Sequence, residues 1–229
     1  AAFSVDGLLS TRPIEYPVRV PKDADAMFDV LTYEKGASVL RMLEQHIGPT
    51  VFREGVRHYL RAHAYGNADT NDLWVALGQA AKQAVPELMD GWIFQPGYPL
   101  VTVRQDNETE LVLSQQRFTY LPSPESTEQR WQIPVPLRIT AGDITEHRRL
   151  LLTDREIRVS LPQGVQRLFV NEEGHGFYRV RYDSPLLQRI LEAGVDHLAP
   201  SERFNLVSDV WATTVSGLTP LSDYLHLTS

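Results

Sequence analysis

A phenol, two separated histidines and a glutamate near a third histidine are the side chains here whose placement could carry chemistry. Tyr33 opens the stretch Tyr33-Glu34-Lys35-Gly36-Ala37, and Ala37, Leu40, Leu43 and Ile47 then recur at helical spacing, which puts the phenol in the first turn of an amphipathic helix. Thr32, just before the pattern, is placed to cap that helix. A phenol, which titrates near pH ~10 when free, keeps its proton at neutral pH and can donate to a developing oxyanion. Pattern alone does not make Tyr33 catalytic, and an aromatic anchor at a helix start is the ordinary reading of a tyrosine so placed. Gly36 has no side chain, so a backbone or a substrate could approach closely there. Glu34 and Lys35 read as charged first-turn residues on a solvated face.

The remaining candidates are weaker. His58 and His63 are five apart, which sets their rings well apart around a helix, and both read as solvent-facing. Glu172 and His175 lie among glycines with no third ligand beside them. A catalytic zinc needs three protein ligands, commonly His-Glu-x-x-His plus a downstream glutamate, and the sequence holds no such motif. It holds no nucleophile elbow and no glycine-rich phosphate loop either. The sequence therefore assigns no metal-ligating and no cofactor-binding residue.

The elements that must position these groups fall into three blocks. Pro13, Pro17 and Pro21 make residues 1–21 extended and loop-like. A short turn over 23–28 leads into the Tyr33 helix, which stops at Gly48, and Pro49 opens the next helix with Val51, Phe52, Val56, Tyr59 and Leu60 on its apolar stripe. Asp69 and Thr70 cap a third helix, Pro86 opens a fourth, and Trp74, Trp92 and Phe94 take core positions. At Gly97 the period switches from 3.6 to 2. Seven short strands, at 100–103, 111–114, 133–139, 150–152, 157–161, 168–170 and 177–182, predict a small antiparallel β-sandwich. Pro134 and Pro136 should confine their strand to an edge or a bulge. Helical period returns after Ser184-Pro185, and a second helix from about Pro200 carries Phe204, Leu206, Val207, Val210 and Trp211.

Composition sets the outer limits. With 229 residues and 42% hydrophobic content the chain can bury more than one core. A net charge of -7 without basic stripes argues against a nucleic-acid partner. No apolar run reaches transmembrane length. The absence of cysteine excludes a disulfide scaffold and fits a reducing, cytoplasmic compartment. The start without methionine, and a final helix that has barely begun at 221–227, suggest a piece of a longer polypeptide.

Tyr33-Glu34-Lys35-Gly36-Ala37 followed by Val39-Leu40-Arg41-Met42-Leu43-Glu44 resembles the segment of the aminopeptidase N family, zinc-dependent gluzincin exopeptidases, that carries a catalytic tyrosine. Further matches follow in the family's order: Phe52-Arg53-Glu54-Gly55, Ala64-Tyr65-Gly66-Asn67-Ala68 with Asp72-Leu73-Trp74, Trp92-Ile93-Phe94-Gln95-Pro96-Gly97-Tyr98-Pro99, and Asn171-Glu172-Glu173-Gly174 with Phe177-Tyr178-Arg179-Val180. The resemblance implies a multidomain α+β architecture. Residues 1–97 would be the C-terminal, all-helical part of a thermolysin-like catalytic domain, 98–183 an antiparallel β-sandwich, and 184–229 the start of a C-terminal α-helical domain.

It implies too that Tyr33 is the catalytic, transition-state-stabilising tyrosine of a Zn2+ metallo-aminopeptidase acting on the N-termini of peptides. The zinc motif and the family's Gly-x-Met-Glu-Asn amine anchor are both missing from the sequence. The isolated chain is then expected to be inactive and to bind no zinc, with the remainder of its own polypeptide as partner. The face of its helices that would meet that remainder is expected to make the isolated chain associate. Two other classes stay open on the residues alone: a non-catalytic interaction module reading a partner through the loop at 121–129, and a self-contained hydrolase holding zinc by itself.

Overall fold

The computed structural model describes residues 1–121 and 129–228, so the proposed reader loop at 121–129 lies largely outside the described residues. The first block is helical: α1 (Ala2–Asp6), α2 (Pro21–Ala26), a π-helical turn (Leu31–Lys35), α3 (Gly36–Ile47), α4 (Pro49–Ala62), α5 (Thr70–Ala81) and α6 (Val85–Ile93). The punctuation works as the residue types dictate. Gly48, at φ 92°, ends α3 in a conformation costly to any other residue, and Pro49 starts α4 with its fixed φ. Asp69 caps α5 reciprocally with Asp72: its carboxylate accepts from the Asp72 amide at 3.0 Å, and the Asp72 carboxylate accepts from the Asp69 amide at 2.8 Å.

Leu43, Leu77, Met89 and Trp92 are fully buried where these helices meet. Gly55 explains its own place at the α4–α5 crossing, because a Cβ there would lie 2.8 Å from Leu77 Cδ2 and 3.0 Å from Leu77 Cα. Backbone cannot yield that distance cheaply. Gly55→Ala is expected to cost about 1–3 kcal/mol in a thermal or urea melt. A melt within error of wild type would show that the crossing can spread.

The second block has seven strands: β1 (Pro99–Asn107), β2 (Glu110–Arg117), β3 (Ile133–Ala141), β4 (Ile144–Leu152), β5 (Glu156–Ser160), β6 (Val165–Val170) and β7 (Arg179–Tyr182). They form a four-stranded sheet in the order β5-β2-β1-β7 and a three-stranded sheet β4-β3-β6. Val101, Val103, Leu111 and Leu113 of the first sheet share one buried cluster with Val135, Leu137, Ile139 and Leu152 of the second. Such alternation is what two stacked sheets require. One pairing departs from the antiparallel expectation: β7 runs parallel to β1, with Leu100 opposite Arg179 and Val103 opposite Tyr182.

Pro134 and Pro136 also correct an expectation, since β3 is the central strand of its sheet and neither edge nor bulge as a whole. Its prolines nevertheless precede the stretch that pairs with β6, Leu137 to Ala141, and on that side only the Pro136 carbonyl is used, accepting from the Asn171 amide at 2.9 Å among the described residues. Locally the rule that proline avoids a doubly bonded position holds.

Three helices follow, α7 (Ser184–Glu192), α8 (Pro200–Val215) and α9 (Leu221–Thr228). Asp183 caps α7 by accepting from the Leu186 amide at 2.9 Å. Glu202, in the first turn of α8, accepts from the amides of Ala199 at 2.8 Å and Glu173 at 2.9 Å and takes a two-pronged bond from Arg138 at 3.0 and 2.9 Å. Burial pushes its carboxyl up, but Arg138 and the two amides outweigh burial and hold it below its ordinary value.

A depressed carboxyl contributes stability above the unfolded value of about 4.5 and loses it as pH falls through the lower folded value. The gap in Tm between wild type and Glu202→Gln is therefore expected to narrow as pH drops below about 4.5. A gap constant from pH 7 to pH ~3 would contradict that coupling.

Several apolar residues counted on buried faces are exposed: Phe94 is 50% exposed, and Leu60, Phe204 and Trp211 also face out. Residues 1–21, expected to be extended, contain the five-residue helix α1, too short to show a period.

Candidate active site

The Tyr33 turn is built from its base upward. Asp29, and not Thr32, caps it: Asp29 Oδ1 accepts from the amides of Leu31 at 2.9 Å and Thr32 at 3.0 Å, and the Asp29 carbonyl accepts from the Tyr33 amide at 3.1 Å. Thr32 is instead an acceptor for Arg12, whose Nη2 lies 3.1 Å from Thr32 Oγ1 and 2.6 Å from Asp29 Oδ1. Arg12 also donates from Nη1 to the carbonyls of Pro13 and Ile14, so the loop before α2 is pinned to the base of the turn. The turn is π-helical: the Gly36 amide reaches back five residues to the Leu31 carbonyl. A π-turn carries one residue more than an α-turn and gathers at functional sites.

Tyr33 stands on the outside of that turn, 58% exposed, its ring 6.2 Å from Phe28. A Cβ at Gly36 would meet nothing within 4 Å, so no backbone of the described residues makes the close approach that glycine permits there. Glu34 is exposed, with Oε2 accepting from the Ala2 amide at 3.2 Å.

Lys35 overturns its reading as a solvated charge. Its side chain is 0% exposed, its Nζ lies 2.9 Å from Asp6 Oδ2 and donates to the Gly97 carbonyl at 3.0 Å. Burial pulls its pKa down and Asp6 pulls it back up. The sequence offered no hint of this, because Asp6 and Gly97 are brought together only by the fold.

The other candidates are not drawn to Tyr33. His58 is exposed, and His63 packs 5.4 Å from the Tyr59 ring with Nε2 3.9 Å from Asp72. Glu172 is engaged by Arg138 at 3.2 Å and by His147 Nδ1 at 2.8 Å, and His175 lies 3.9 Å from Glu173 instead. A cavity of about 530 Å3 lies between α3 and the β3–β4 hairpin, lined by Met42, His46, Pro136, His147 and His175 among others. Among the described residues no three His, Cys, Asp or Glu side chains stand together so as to hold a metal ion.

Residues 1–92 match the model of the peptidase family M1 domain, which includes the whole Tyr33 turn. The chain belongs to the M1, or aminopeptidase N, family. Residues 168–229 match the ERAP1-like C-terminal domain. The chain is 39% identical over 206 residues to the probable M1 family aminopeptidase 1 of Encephalitozoon cuniculi, covering 90% of this chain and 23% of that protein. It is 33% identical over 225 residues to the Tricorn protease-interacting factor F2 of Thermoplasma volcanium, covering 98% and 27%. Identity is 32% over 234 residues with the puromycin-sensitive aminopeptidase of Caenorhabditis elegans, covering 99% and 25%. The chain thus spans about a quarter of the length of these relatives. M1 peptidases are zinc-dependent, and the donors present on the described residues do not fit that metal. Among these residues no helix is long and apolar enough to cross a membrane.

Proposed function

We propose that this M1 chain supplies Tyr33 as the oxyanion-stabilising donor of a zinc metallo-aminopeptidase that removes N-terminal residues from peptides. The observation that carries the reading is the turn itself. Within the segment matched by the M1 model, an exposed tyrosine sits on a π-turn whose base is fixed by Asp29 and Arg12 and whose inner side is fixed by a buried lysine. Such a donor needs to be held before the transition state arrives, so that none of its stabilisation is spent on ordering. Its hydroxyl donates to the oxygen on which charge builds and returns to a weaker bond as that charge disperses.

The names of the relatives support aminopeptidase chemistry and hence peptide substrates. In this reading zinc and the grip on the substrate's amino group come from residues outside this chain. Residues 1–97 belong with the catalytic domain, 98–183 form a separate sandwich, and 184–229 open a helical domain. A cysteine-free composition supports a cytoplasmic setting. The test is kcat for hydrolysis of a leucyl-arylamide by wild type and Tyr33→Phe in the enzyme that contains this chain.

A further inference from the structure

The geometry points to Lys35 as a positioning residue that sets the register of the Tyr33 phenol, an inference that rests on Tyr33 being the oxyanion donor. Three contacts close a ring inside the protein. Lys35 Nζ lies 2.9 Å from Asp6 Oδ2 and 3.0 Å from the Gly97 carbonyl, and Asp6 Oδ1 accepts from the Gly97 amide at 3.0 Å. Thr11 Oγ1 donates to the same Asp6 oxygen at 2.7 Å. The ring joins α1, the π-turn and the loop into β1, segments up to 91 residues apart in sequence. The place of Gly97 admits only glycine: its φ is +83°, and a Cβ there would fall 2.6 Å from Arg117 Nε.

Lys35 and Tyr33 are two residues apart on the turn, which places them on roughly opposite sides of its axis, and one is wholly buried while the other is largely exposed. The buried ammonium is therefore the inner pin of the element whose outer side presents the phenol. Charge is an expensive way to pack a helix. Burial already works against the Lys35 ammonium, and an apolar residue would satisfy packing alone. What the ammonium supplies and an apolar side chain cannot is a hydrogen bond to the Gly97 carbonyl joined to an ion pair with Asp6. Relaxation of the π-turn to α-helical pairing would rotate Tyr33 about the axis, and the tie holds the turn against it.

The test is a double-mutant cycle on kcat and KM for a leucyl-arylamide, in the enzyme that contains this chain and at matched zinc content, using Lys35→Met, Tyr33→Phe and the pair. The expected result is a loss in kcat of roughly tenfold or more for Lys35→Met with KM little changed, and a double variant no slower than Tyr33→Phe. An additive loss in the double variant overturns the inference while leaving Tyr33 as the donor. No loss with Tyr33→Phe removes both. Because Lys35→Met leaves Asp6 buried without its cation, the same cycle is run with Asp6→Asn/Lys35→Met, which removes both charges. Full activity in that folded variant contradicts the inference.

Discussion

Replacing Tyr33 by phenylalanine in the enzyme that contains this chain is expected, on the role proposed for the phenol, to lower kcat roughly a hundredfold or more while leaving fold and zinc content intact, a loss of about 3 kcal/mol of transition-state stabilisation. The substitution is clean because, among the described residues, the hydroxyl takes no part in holding the turn together. The turn is held by Asp29, Arg12 and Lys35, and the ring that lies 6.2 Å from Phe28 is retained by the substitution. KM should move little, since the ground-state carbonyl carries less charge than the oxyanion and gains less from the donor. Measurement of kcat and KM by initial rates, with zinc assayed in the same samples, decides it. A kcat within threefold of wild type would return Tyr33 to an aromatic anchor.

The second large effect lies far from the chemistry. Arg179 on β7 and Asp209 on α8 are both buried, with Nη1 2.9 Å from Asp209 Oδ1 and the Val180 amide donating to Oδ2 at 2.9 Å. Arg179 Nε donates to Tyr98 Oη at 3.2 Å, Nη1 donates to the Ser208 carbonyl at 3.1 Å, and the guanidinium lies 4.8 Å from the Phe3 ring. One cation thus joins the sandwich to α8 and to the first residues of the chain. Burial pushes the Asp209 carboxyl up to about 6 against the pull of Arg179, a measure of how costly charge is there.

Asp209→Ala leaves that guanidinium buried without its counter-charge and strands the Val180 amide, at a cost of about 3–5 kcal/mol. For a chain of this size the loss in Tm is roughly 6–20 °C, read by calorimetry or circular dichroism. The double variant Arg179→Met/Asp209→Leu should recover a substantial part of it. A single variant melting within about 2 °C of wild type would show that water reaches the site and the pair is dispensable.

Legibility followed the range of the forces. Helices α3 to α6 and all seven strands announce themselves because period 3.6 and period 2 are local properties, and Gly48, Pro49 and Asp69 act on their immediate neighbours. The parallel pairing of β7 with β1 was not readable, because each strand alone shows only which faces it buries. Thr32 reads as the cap from its place before the helical pattern, but the structure gives that role to Asp29, whose Oδ1 accepts from the Leu31 and Thr32 amides. Periodicity marks a face as apolar without saying what covers it, which is why Phe94 and Trp211 sit outside although their pattern is that of core. Tyr33 was legible as a candidate from its place at a helix start and from a resemblance. Lys35 was not, because a lysine is read as solvated unless its partners are known, and its partners lie 29 and 62 positions away.

The most direct test of Tyr33 as an oxyanion donor is the affinity of a tetrahedral phosphinic pseudo-dipeptide for wild type and Tyr33→Phe, set beside kcat/KM for the matching substrate. A transition-state mimic should lose the same factor as kcat/KM when the hydroxyl is removed, roughly a hundredfold, with substrate KM nearly unchanged. An inhibition constant that does not move while kcat/KM falls would place the hydroxyl somewhere other than on the oxyanion.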